Sequence, residues 1–140
     1  MQRDILMDEI NRLGQVMGAI LARLIGKRDG AGLKSGYNFT AEALKSELDW
    51  DLAAVLALPK EEFANRYFKK GERFDYAMEQ LAHLLWHSAS ATENMVEQKA
   101  LLYRAEWILT ELNSNELYSL EREQHLTILR EHINKNHAPK

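Results

Sequence analysis

The 140-residue chain carries 18 Lys+Arg against 21 Asp+Glu, a net charge of -3, with 46% apolar and 28% charged residues. That balance belongs to a globular chain and offers no positive field to gather a nucleic acid, so DNA and RNA binding are not expected. Cysteine is absent, which excludes disulfides, thiolate catalysis and cysteine metal sites together.

A chain of this length fits one domain and can bury a core without a metal or a disulfide. Its opening "MQRDILMDEI" holds three acids and no small-residue cleavage site. The longest uncharged run nearby, "LGQVMGAILA", falls short of the roughly 18 residues a membrane span needs. The expectation is a cytoplasmic protein without a membrane segment.

Residues 2–28 read as one long helix. Leu6, Ile10, Leu13, Met17, Ile20 and Leu24 alternate spacings of four and three, a heptad pattern. Ile5 and Val16 widen the stripe on one side, and Met7, Leu21 and Ile25 on the other. The apolar arc then spans about 200°, where a surface helix needs about 100°. One neighbour does not cover that much, so two are expected. Gly14 and Gly18 lie four apart within this helix, each at a cost of about 1 kcal/mol relative to alanine. With Ala22 they form a strip of small residues that lets another backbone approach.

"KRDGAGLKSGYNF" follows, and its glycines mark residues 29–39 as a loop expected to be mobile. "GAGLKSG" is not a phosphate loop: that motif needs glycines at 28 and 33, where Arg28 and Leu33 stand, and a preceding strand rather than a helix. Lys27, Arg28 and Lys34 flank the loop as favourable charge at a helix end. From 40 to 134 the pattern is of helical hairpins. Thr40 is the expected N-cap of "AEALKSELDW", and Pro59 opens the next helix with Glu61 and Glu62 in its first turn. Lys69, Lys70 and Gly71 close it.

A helix over about 72–90 takes Phe74, Ala77, Met78, Leu81, Leu84, Leu85 and Ser88 as its core stripe. Thr92 is the expected cap of a helix over about 93–112; "NSN" turns the chain; a last helix runs from about 116 to 134, and 135–140 should fray. No strand is expected, since alternating β-branched runs are absent and valine occurs only three times. The fold class is therefore all-α, with five or six helices in a bundle or short solenoid.

Glu79, His83 and His87 fall at i, i+4 and i+8, opposite the core stripe of their helix. Two histidines four apart can share a metal with a carboxylate as third ligand, but no His-Glu-x-x-His is present and no fourth ligand is dictated. A solvated or interface face accounts for them as well, with Tyr76 and Trp86 flanking it as contact-prone aromatics. His125 and His132, two turns apart, are too distant for one mononuclear site on one helix. Ser88, Ser90 and Thr92 lie near His87, but no oriented base or oxyanion hole can be named.

"QRDILMDEINRLGQVMGAILARLIG" and the connector "DLAAVLALPKEEF" resemble an uncharacterised family of small bacterial helical proteins, a domain of unknown function with tetratricopeptide-like hairpins. The resemblance implies a helical, partly repeat-like fold and carries no catalytic residues. Ala100, Tyr103, Ala105 and Trp107 give only a fragment of the tetratricopeptide pattern, so no peptide groove is transferred.

The function expected from these residues is that of a non-enzymatic interaction or structural module without a cofactor. It self-associates as a homodimer or packs against another protein. The expected interface is Leu6, Ile10, Gly14, Met17, Gly18, Leu21, Ala22 and Ile25, with the chain's own hairpins as the alternative neighbour of the glycine edge. The alternative function is a metal- or small-ligand-binding enzyme or sensor using Glu79, His83 and His87.

Overall fold

The computed structural model describes residues 2–29, 35–67, 72–114 and 118–137. The described residues form seven helices and no strand: α1 (Gln2–Asp29), α2 (Gly36–Leu48), α3 (Leu52–Ala57), α4 (Lys60–Tyr67), α5 (Glu72–Ser90), α6 (Met95–Ser114) and α7 (Leu120–His137). The all-α expectation holds, with one helix more than five or six. The addition is α3, whose N-terminus is capped by Asp51, the carboxylate accepting the Ala53 N–H at 3.1 Å. Leu58 leaves helical geometry (φ -59°, ψ 131°) because the following Pro59 ring disfavours it, which separates α3 from α4.

Three boundaries differ from the sequence reading. Ser35, not Thr40, caps α2: its hydroxyl accepts the Asn38 N–H at 3.2 Å, so residues 36–39 of the expected loop are helical and Thr40 lies buried within the helix. Residues 30–34, with Gly30, Gly32 and Lys34, lie outside the described residues, as do Lys69, Lys70 and Gly71. Asn94, not Thr92, caps α6 by accepting the Glu97 N–H at 3.0 Å. The last helix continues to His137, past the expected fraying point, since nothing before Pro139 interrupts it.

α5 is the hub, with α1, α2 and α6 packed on it; α7 packs on α6, and α3 touches α2 and α6. Ala77, Met78, Leu81, Leu84, Leu85 and Ser88, six of the seven residues read as its core stripe, are fully buried. Met17, Ile20 and Leu24 of α1 enter the same core, as do Leu126 and Leu129 of α7. Phe63 anchors the short helices, 4.7 Å from the Tyr67 ring and 5.5 Å, edge-on, from Trp107. Arg104 lies over Phe63 and Trp107 and donates to the carbonyls of Leu56 and Leu58 that end α3.

The glycine strip of α1 meets the chain's own α5. A Cβ on Gly14 would stand 2.7 and 2.8 Å from two ring carbons of Tyr76, and one on Gly18 would stand 3.5 Å from the Gln80 side chain. Gly14 and Met17 are buried within this chain and present nothing to a second copy, which corrects their place in the expected interface. The side chains of Leu6 and Ile10 lie outside the described residues. Of the remaining positions, Ala22 is exposed and Leu21 and Ile25 are partly so.

The tightest backbone approach belongs to Gly36. A Cβ there would overlap the Ser88 carbonyl oxygen and sit 3.0 Å from the Ala91 Cβ. The first turn of α2 is thereby pressed onto the end of α5, where the Gly36 N–H reaches the Ala91 carbonyl at 2.9 Å and the Tyr37 N–H reaches the Thr92 hydroxyl at 2.9 Å.

Candidate functional site

The stripe Glu79–His83–His87 faces neither the α5 core nor open solvent: α7 and the end of α1 reach it. The Glu79 carboxylate is held bidentately by Arg122 of α7, with Nε–Oε1 at 3.1 Å and Nη2–Oε2 at 3.2 Å. Arg122 is only 8% exposed, and its third arm donates to Asn113 Oδ1 at 2.8 Å. Every oxygen of Glu79 is thus engaged by a cation in fork geometry, the strongest form of such a pair.

One turn on, the His83 ring stands edge-to-face with His125 of α7, centroids 5.0 Å apart and planes at 89°. Trp86 lies nearly parallel to His83 at 6.2 Å and at 73° to His125 at 6.4 Å. All three are partly buried. Burial, and then the neighbouring His125, hold the His83 pKa below the ordinary imidazole value against the opposing pull of Glu79 and Glu121. His125 Nδ1 is buried and finds no hydrogen-bond partner among the described residues.

A further turn on, His87 Nδ1 lies 3.3 Å from Arg28 Nη1. A guanidinium only donates, so Nδ1 accepts and the neutral ring carries its proton on Nε2. Burial first, then the Arg28 charge, push the His87 pKa down.

This geometry corrects the metal set. Among the described residues no three histidines or carboxylates converge on a point where an ion could sit. Glu79 is turned to Arg122 and His87 to a cation, so the three side chains share a stripe but not a site. The nucleophile candidates are likewise engaged: Ser88 donates to the Leu84 carbonyl at 2.6 Å and accepts from Thr40 at 2.5 Å, while Thr92 donates to the Ser88 carbonyl. Arg122 and His125 were the partners that sequence reasoning missed. A signal was available: Arg122, Leu126, Leu129 and Ile133 share one helical stripe, and a charge on an apolar stripe marks a buried ion pair.

Two surface depressions lie among the described residues. One of about 220 Å³ is bounded by Trp50, Tyr67, Asp49, Asp51 and Arg66. It is smaller than an ordinary ligand site, and its acids already serve the backbone or a neighbour: Asp51 caps α3 and Asp49 pairs with Lys45 at 2.9 Å. The other, about 290 Å³, is a groove between α6 and α7 bordered by Tyr103, Glu106, Arg130, Ile133 and Asn134. Glu106 and Arg130 pair across it at 3.2 Å.

Comparison with protein-family models, with curated proteins and with solved structures finds no match for this chain. Among the described residues, no helix is long and apolar enough to cross a membrane.

Proposed function

We propose that this chain is a non-enzymatic helical packing module that acts by burying apolar surface against a second copy of itself. The observation that carries the reading is the unequal fate of its side chains. The polar candidates for chemistry bond or stack within the chain, while large apolar side chains are left uncovered, foremost Val96 at 79% and Leu120 at 65% exposure. Singly exposed apolar residues are ordinary. On α6, however, Val96, Lys99 and Tyr103 recur at i, i+3 and i+7 and lead into the groove beside Ile133. The Lys99 ammonium lies 5.8 Å from the centroid of the Tyr103 ring, so the stripe mixes an amphipathic cation with apolar surface, as contact surfaces do.

Sedimentation equilibrium over a wide concentration range tests this. The wild type should dimerise, and Val96→Lys with Tyr103→Lys should shift it to monomer with its helix content intact. A wild type that stays monomeric throughout overturns self-association. Dissociation by Ala22→Arg, with the α6 variant unaffected, would move the contact back to the uncovered edge of α1.

A further inference from the structure

We infer that the contact between His83 and His125 is an acid-releasable clasp that holds α7 on α5. The two rings come from different helices, at a centroid separation of 5.0 Å. Neutral imidazoles tolerate that distance, but two imidazolium cations do not, because like charges at this range in a partly desolvated site repel strongly.

The surroundings accept charge poorly. An imidazolium carries an N–H on both nitrogens, yet His125 Nδ1 is buried with no acceptor beside it among the described residues. A proton there would be an unmet buried donor, which folded structures avoid. The titratable and charged groups around the pair are, from α5, Glu79 and, one turn on, His87; from α7, Glu121 and Arg122; and from α1, Arg28, which faces His87. The two carboxylates favour protonation of His83. Glu79, however, is also paired with the bidentate Arg122, whose own charge opposes a cation on His83. The pull of Glu79 and Glu121 on His83 is outweighed by burial and by the second imidazole. Stacking of Trp86 on His83 tolerates one imidazolium. It does nothing for the second.

The sign follows by linkage. His83 is held below its ordinary value in the closed state and returns to it when α7 lifts away, so opening takes up protons and is favoured as the pH falls through about 6.5. One proton taken up raises the open-to-closed ratio by at most tenfold per pH unit, and two raise it by up to a hundredfold. The second histidine contact, His87 with Arg28, joins α5 to α1 and not to α7. The two can therefore be read out separately.

Native-state hydrogen exchange of the full chain from pH 7.5 to 5, corrected for intrinsic exchange rates, tests the clasp. Amides of α7 should lose protection by more than tenfold relative to those of α2. In His125→Gln that relative loss should shrink to within twofold. An α7 response that is flat with pH in the wild type, or equal in the variant, overturns the inference, and so does a loss confined to α1. Should His125→Gln fail to fold, the wild type still decides by NMR titration of its imidazole carbons. The His83 resonance must titrate at the midpoint where α7 loses protection; a different midpoint refutes the clasp.

Discussion

α2 packs on α5, while α7 packs on α6 and reaches α5 through side chains, and their contacts with α5 are of opposite kinds. At the α2 end the fastening is backbone and hydroxyl: Gly36 is pressed on Ser88, the Gly36 N–H bonds to Ala91, the Tyr37 N–H bonds to Thr92, and Thr40 bonds to Ser88. None of these groups titrates near neutrality. At the α7 end the fastening is side-chain and ionisable: Glu79 with Arg122, and His83 with His125. One helix thus carries a seam indifferent to its medium and another that answers to pH. The difference teaches that burial alone does not set how permanent a contact is; the chemistry of the buried groups does.

The largest effect should come from breaking the first seam at its closest point. Gly36→Val places carbon where the Ser88 carbonyl already sits, and neither backbone can yield without moving a helix. A loss of about 3 kcal/mol is expected, read as a lower urea midpoint. The second seam should break at Arg122→Leu with a loss of about 2 kcal/mol at pH 7. That change leaves Glu79, 27% exposed, as a half-buried carboxylate without its partner. Removing both charges in Glu79→Leu with Arg122→Leu should cost less than the sum of the single changes, which a double-mutant cycle measures.

Thr40→Val sharpens the comparison from the other side. Ser88 donates to Leu84, so Thr40 is the donor in the hydroxyl pair, and its removal should cost about 1 kcal/mol. That cost should not change between pH 8 and pH 5. The wild type itself should lose stability over the same interval. His83 and His87 are held neutral in the fold, so the unfolded chain binds more protons as the pH falls below about 6.5. Denaturant melts at several pH values separate the two behaviours.

The smallest effects belong to α1. Gly18→Ala should stabilise by up to about 1 kcal/mol, because its Cβ fits at 3.5 Å from Gln80 and the helix gains alanine propensity. Gly14→Ala should be near neutral, since the same gain is offset by displacing the Tyr76 ring, which is exposed enough to swing aside.

Which parts of this were legible in the sequence follows from how far each signal reaches. Met17, Ile20 and Leu24 of the α1 stripe and six residues of the α5 stripe are buried as read, because helical periodicity is a local property, while the side chains of Leu6, Ile10 and Phe74 lie outside the described residues. The caps were not legible in that way. Thr92 has the chemistry of a cap and does cap a helix, but that helix is α2, 55 residues away, while Asn94 caps its own. The same limit governed the candidate site. Spacing placed Glu79, His83 and His87 off the α5 core stripe; it could not show that Arg122, 43 residues on, would occupy Glu79. Gly14 was correctly read as a point of close approach to some neighbour, whereas Gly18 has room for a Cβ beside Gln80. Their assignment to a second copy failed for Gly14, because an uncovered arc on a helix names no partner and α5 was nearer.

The placement of α1 against α5 also bears on how the protein is made. A ribosome delivers α1 before α5, and Tyr76, which covers Gly14, follows it 62 residues later. At a synthesis rate of about 5–20 residues per second, the apolar arc of the nascent α1 waits on the order of several seconds for the helix that shelters it. During that wait a chaperone that clasps amphipathic helices has a natural substrate, and a pause in translation before α5 would prolong its hold.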